Sequence, residues 1–270
     1  MELLGLVVPF VAAGGWLWWI YSTDRFEREP WPLVLKTFGI GAAAGLLGLL
    51  ALFVLILLIP EGSDLTLLVF PALVPVHLGA LAAVLYRWPY RTYDWNDPFD
   101  GIVYGGAAGI GYGTTYTLFY LLGSPLAGFR SAMFTIPTFM LTGLIMGHYM
   151  SQVRFGPPDR ARAMRVKVFW VAGLYLAGLE LARALGGELM GSEHPLASAV
   201  VYAVNTLGWV VAMHALDAQN RASVYNPENY RLWLAPTGCP HCGYAHPMGA
   251  NYCNWCGSPI AAHQQQGVQG

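Results

Sequence analysis

Charge is scarce in this chain. Only 11% of its 270 residues are Asp, Glu, Lys or Arg, against about 25% in a soluble domain. With 56% apolar residues and a mean hydropathy of +0.46, that scarcity excludes a soluble enzyme built on one large core and implies a multi-pass membrane protein. Net charge is −1 and no basic run occurs, which excludes a nucleic-acid partner. Cysteine is missing until Cys239, so no disulfide framework spans the chain. There is no G-x-x-x-x-G-K-[ST] phosphate loop and no G-x-S-x-G nucleophile elbow. Glutamate is absent from the whole apolar stretch Leu65–Tyr86, and the span Asp97–Leu122 carries no carboxylate after Asp100.

A helix needs roughly 20 apolar residues to cross a bilayer. Seven segments qualify: Leu3–Tyr21, Leu33–Ile59, Leu65–Tyr86, Gly101–Leu122, Ser131–Met150, Val166–Leu185 and Ala197–Leu216. The first has no basic n-region and ends in Trp16, Trp18 and Trp19, so it reads as an uncleaved helix rather than a signal peptide. Pro137 is placed to kink the fifth. Twelve of the 14 basic residues fall on one side of these spans, leaving Arg130 and Arg183 on the other. The positive-inside rule then puts the N-terminus outside and the C-terminus in the cytoplasm. The expected fold is all-α: a polytopic bundle of about seven transmembrane helices over residues 1–219, with a linker at 220–236, a small C-terminal zinc ribbon at 237–260 and a disordered tail at 261–270.

The ribbon reading rests on two C-x-x-C knuckles, Cys239/Cys242 and Cys253/Cys256, each followed by glycine (Gly243, Gly257). Four thiolates around one ion make a closed structural zinc site. Some twenty residues bury too little to fold alone, so metal would supply the folding energy. A redox dithiol pair or paired disulfides are the alternatives, but a reducing compartment and the lack of a thioredoxin-like context weigh against them. The motif resembles short zinc ribbons, and a closed site implies structure or partner binding rather than catalysis.

Two membrane stretches carry more. Tyr21–Gly45 reads YSTDRFEREPWPLVLKTFGIGAAAG, with Asp24, Arg25, Glu29, Pro30 and Trp31 ahead of a small-residue helix. Asp97–Leu122 opens on DGIVYG and continues with Gly101, Gly105, Gly109 and Gly113 at four-residue spacing. In this order they resemble the PrsW family of intramembrane metalloproteases over about residues 16–150. The resemblance implies hydrolysis of membrane-embedded substrates by a metal-activated water, using glutamates in the third and fourth helices and a histidine in the fifth. Here Val76 and His77 stand at the paired glutamates, Ala80 at the lysine that follows, Tyr116 at the helix-4 glutamate and Thr138 at the histidine. The catalytic positions are thus replaced.

Other ionisable residues fall inside the apolar spans: His77, His148, Glu180 and His214. By helical rise, Glu180 and His77 differ in depth by about 10 Å. Glu180 can pair with Arg183 at i,i+3, and His148 and His214 can snorkel to the interface. That leaves His77 as the one catalytic candidate, against a structural role as a hydrogen-bonded core histidine. Tyr112, Tyr116 and Tyr120, with Thr115, form a face that could line a cavity or pack.

The expectation is a PrsW-like protein without hydrolytic chemistry, acting as a membrane scaffold or binding protein. Its partners would be the lipid bilayer, another membrane protein and a cytosolic protein. Its cofactor would be structural Zn2+ held by Cys239, Cys242, Cys253 and Cys256, with no second metal inside the membrane. The alternatives are an active intramembrane metalloprotease rebuilt around His77, and a small-solute transporter using Thr114, Thr115, Tyr116, Thr138 and Asn205.

Overall fold

The computed structural model describes the backbone of residues 2–24, 27–58, 69–156, 158–190, 195–223 and 239–243, together with 253, 256, 258 and 259. Seven α-helices follow one another: α1 (Glu2–Thr23), α2 (Trp31–Leu58), α3 (Val69–Arg87), α4 (Asp100–Gly123), α5 (Pro125–Phe155), α6 (Pro158–Met190) and α7 (Pro195–Ala222). A short 3-10 turn, Pro89–Arg91, lies between α3 and α4. Each apolar segment read from the sequence becomes one helix. Several run past the apolar span into flanking polar residues, because backbone hydrogen bonds continue where lipid ends. α5 passes unbroken through Pro137 and reaches Phe155, so Arg154 sits buried in its last turn. Of the linker expected at 220–236, residues 220–222 are the end of α7, while 224–236 and the tail at 261–270 lie outside the described residues.

The packing is that of a membrane bundle. α2 turns Gly41, Ala44, Gly45 and Gly48 inward and presents Leu46, Leu47, Leu50 and Phe53 outward. A soluble helix would bury the leucines. In lipid they are at no disadvantage outside, and small residues go to the interface so that backbones can approach. By length and composition within the described residues, α2 and α5 meet a strict requirement for crossing a bilayer, with mean hydropathies of 2.7 and 1.3.

α4 is the centre. Almost every residue from Asp100 to Thr117 is buried. Its glycine stripe faces α5: a Cβ at Gly105 would meet the carbonyl of Gly143, and one at Gly109 the carbonyl of Phe139. Its opposite face takes α2, where a Cβ at Gly41 would strike the Ala108 backbone. At one end of the bundle, Trp31 stacks on Tyr21 (ring centroids 4.1 Å apart) and on Trp18 (6.2 Å). The end of α7 docks nearby, with the Ser223 hydroxyl donating to Asp97 (2.6 Å) and the Asn220 amide donating to the Thr23 carbonyl (3.3 Å).

Candidate functional site

The core of the bundle surrounds His77. α3 turns His77 inward, 4% exposed, and Val76 outward, 36% exposed. His77 Nδ1 lies 2.8 Å from the Tyr112 hydroxyl. The imidazole meets Tyr112, Tyr116 and Phe139 edge-on, at centroid distances of 5.6, 5.6 and 5.2 Å. Tyr112 and Tyr116 stack on each other at 5.7 Å. The absence of a Cβ at Gly48 leaves room for both hydroxyls beneath α2. Of the residues at the expected catalytic positions, His77 and Tyr116 therefore meet. Val76 faces away, Ala80 is half-buried, and Thr138 is drawn elsewhere, donating to the Phe134 carbonyl (2.7 Å) and to Asn205 Oδ1 (3.2 Å).

The other candidates separate. His148 bonds to Gln152 (2.8 Å) and Gln219 (2.5 Å), His214 is exposed, and Glu180 is buried. Among the described residues, these four are not gathered around a common point. The Arg183 side chain lies outside the described residues, so the Glu180–Arg183 pair does too. The threonine hydroxyls weighed for a solute path serve the helices, whereas the Tyr116 hydroxyl is buried without a hydrogen-bond partner among the described residues. Thr114 donates to the Ile110 carbonyl (2.7 Å), and Thr115 to the Ala42 carbonyl of α2 (2.7 Å). Tyr120 is half-buried at the end of the face begun by Tyr112.

The cysteine quartet does assemble. Cys239 and Cys256 sulfurs lie 3.7 Å apart, Cys242 and Cys253 sulfurs 3.6 Å apart, and all four fall within 4.8 Å of one another. A tetrahedron with bonds of about 2.3 Å has edges near 3.8 Å, so the four thiols fit one zinc-sized ion. Gly243 adopts a positive φ of 74° just after the first knuckle, and its N–H donates to the Cys239 carbonyl (2.7 Å), closing the turn. Hydrogen bonds from Ser258 favour the Cys256 thiolate and lower its pKa to about 6, which suits a metal ligand.

A third cluster escaped the sequence reading. Asp24 and Glu29, from the turn between α1 and α2, meet Asp100 at the start of α4, with one oxygen of each within 4.8 Å of the others. Each was visible in its own motif. Only the packing of the helices brings the ends of the two motifs to the same level of the bundle. The trio lies one residue ahead of the apolar span Gly101–Leu122, and the Tyr104 hydroxyl, one turn in, donates to Glu29.

The model of the family described as "PrsW family intramembrane metalloprotease" matches residues 29–182. Protease PrsW of Geobacillus kaustophilus is 28% identical over 195 residues, 68% of this chain and 82% of the relative. Protease PrsW of Bacillus subtilis is 28% identical over 149 residues, covering 53% of this chain and 66% of that protein. Protease PrsW of Clostridioides difficile is 27% identical over 146 residues, 52% and 61%. No solved structure matches. The cysteine quartet lies beyond the region the family model covers.

Proposed function

From the premise that this membrane protein belongs to the PrsW family of intramembrane metalloproteases, we propose that it is a member without peptidase activity. It serves as a scaffold, with the bundle holding another membrane protein and the zinc-loaded cysteine module docking a cytosolic one. One observation carries the reading. The place where the resemblance puts a metal and its carboxylate base holds His77 boxed by Tyr112, Tyr116 and Phe139. Hydrolysis by a metal-activated water needs ligands for the ion and a base within reach. Rings packed edge-on around a histidine supply neither.

Zn2+ is the ion we assign to Cys239, Cys242, Cys253 and Cys256, because an all-thiolate tetrahedron favours it. The orientation follows the basic residues, N-terminus outside and the module in the cytoplasm. Reporter fusions at the two ends test it, and an exported C-terminal reporter would reverse it.

Family membership favours the competing reading, an active protease built around His77. Side-by-side reconstitution with one of the PrsW relatives decides between them, using a membrane-embedded reporter that the relative cleaves. No cleavage by this chain, with zinc in the quartet, is the expected result. Cleavage that a chelator stops and His77→Ala abolishes would overturn the scaffold reading.

A further inference from the structure

Asp24, Glu29 and Asp100 are only 5%, 3% and 0% exposed. Buried carboxylates are costly unless paired. Yet among the described residues no lysine, arginine or histidine forms an ion pair with Glu29 or Asp100. Donors account for part of the demand. Asp100 Oδ2 accepts the Asn96 and Asp97 N–H groups (2.6 and 2.5 Å), and Glu29 accepts the Tyr104 hydroxyl. The other Asp100 oxygen, Oδ1, is fully buried and has no hydrogen-bond partner. On the rim, Glu27 Oε2 and Asn96 Oδ1 are likewise buried without one, while the Asn96 amide donates to Glu27 Oε1 (3.4 Å). At Asp100, Glu27 and Asn96 the unfilled valence is in each case on an oxygen acceptor.

We propose that Asp24, Glu29 and Asp100 hold one divalent, oxygen-seeking cation that clasps the α1–α2 turn to the start of α4. Oxygens that share an ion stand no further apart than twice the bond length, about 5 Å for calcium-like bonds of about 2.3–2.6 Å, and the three ligand atoms fall inside that limit. Carboxylate and carbonyl oxygens select hard cations such as Mg2+, Ca2+ or Mn2+ over zinc, so this site and the thiolate quartet would take different metals. Glu29 and Asp100, this buried and this close, need a positive charge beside them, as a metal or as a proton. The clasp is independent of whether the bundle cleaves peptides.

Tb3+ is the probe, because Trp95 and Tyr104 lie beside the trio, ring centroids 5.9 Å apart, and can sensitise its emission. The full chain in detergent, with its quartet loaded with zinc, is titrated with Tb3+ and then competed with Ca2+, Mg2+ or Mn2+. The expected result is one saturable site, displaced by a divalent ion and weakened at least about tenfold by Asp100→Asn or Glu29→Gln. If neither variant folds, Trp95→Phe must dim the emission without moving the midpoint. A melting temperature of the unaltered protein that rises with millimolar divalent ion is the companion result. Absent emission with no rise in melting temperature overturns the clasp and leaves a shared proton in its place. So does binding indifferent to the carboxylate variants, or emission indifferent to Trp95→Phe where that is the variant used.

Discussion

Gly105 of α4 and Gly143 of α5 each place a carbonyl oxygen where a Cβ on the other would stand. The two helices meet backbone to backbone, and the stripe read as Gly101, Gly105, Gly109 and Gly113 is the surface that permits it. Without that contact, α4 could not carry its tyrosines to His77 or its first residue to Glu29.

Gly105→Ala and Gly143→Ala should each force the helices apart and destabilise the bundle by about 1–3 kcal/mol. Gly39→Ala and Gly79→Ala, where nothing stands within 4 Å of the added atom, should change little. Denaturation with SDS in mixed micelles checks both pairs. Equal effects at all four positions would contradict the close seam.

His77 gives a second test. Tyr112→Phe removes the hydroxyl 2.8 Å from His77 Nδ1 and should cost about 1 kcal/mol, the usual magnitude for one buried hydrogen bond. Zinc content should not change. A zinc-to-protein ratio that falls in Tyr112→Phe or His77→Ala would instead make His77 a metal ligand.

Zinc itself should follow the quartet. The full chain is expected to hold one zinc, and a chain ending at Pro236 none. Cys253→Ser, at a fully buried ligand position, should lose the metal. Elemental analysis of purified protein measures this, and zinc retained by the shortened chain would point to a site in the bundle.

Glu29 makes stability depend on pH. Burial pushes its carboxyl up to about 8 from 4.5, so the folded state binds its proton more tightly than the unfolded state. The stabilisation is fully present below pH 4.5 and is lost as pH rises through about 8. With divalent ions chelated, the melting temperature should fall across that window, and Glu29→Gln should flatten the fall. Saturating divalent ion should oppose it, because the cation favours the ionised carboxylates. A melting curve indifferent to pH in the unaltered protein would remove Glu29 as the cause.

Much of this protein is legible along the chain because the causes are local. Apolar runs of bilayer length dictate helices wherever they occur, and each of the seven became one. The C-x-x-C spacing brings two sulfurs together within a single turn, so the pairs were visible, although their meeting as a quartet depends on the fold. The glycine period named a packing face but not its partner, and only the structure assigned it to α5.

The sequence by itself determined that the chain is an all-helical membrane protein, which family frame it follows and which cysteines pair in each knuckle, since hydropathy and short spacings act over a few residues. The tertiary structure decided that Val76 faces out while His77 is boxed by aromatic rings, that Thr138 turns to Asn205, and that Asp24 and Glu29 meet Asp100. Those outcomes depend on how α1, α2, α3, α4, α5 and α7 rotate and slide against one another. Backbone contact at small residues fixes that, across separations of about seventy residues that no local pattern records.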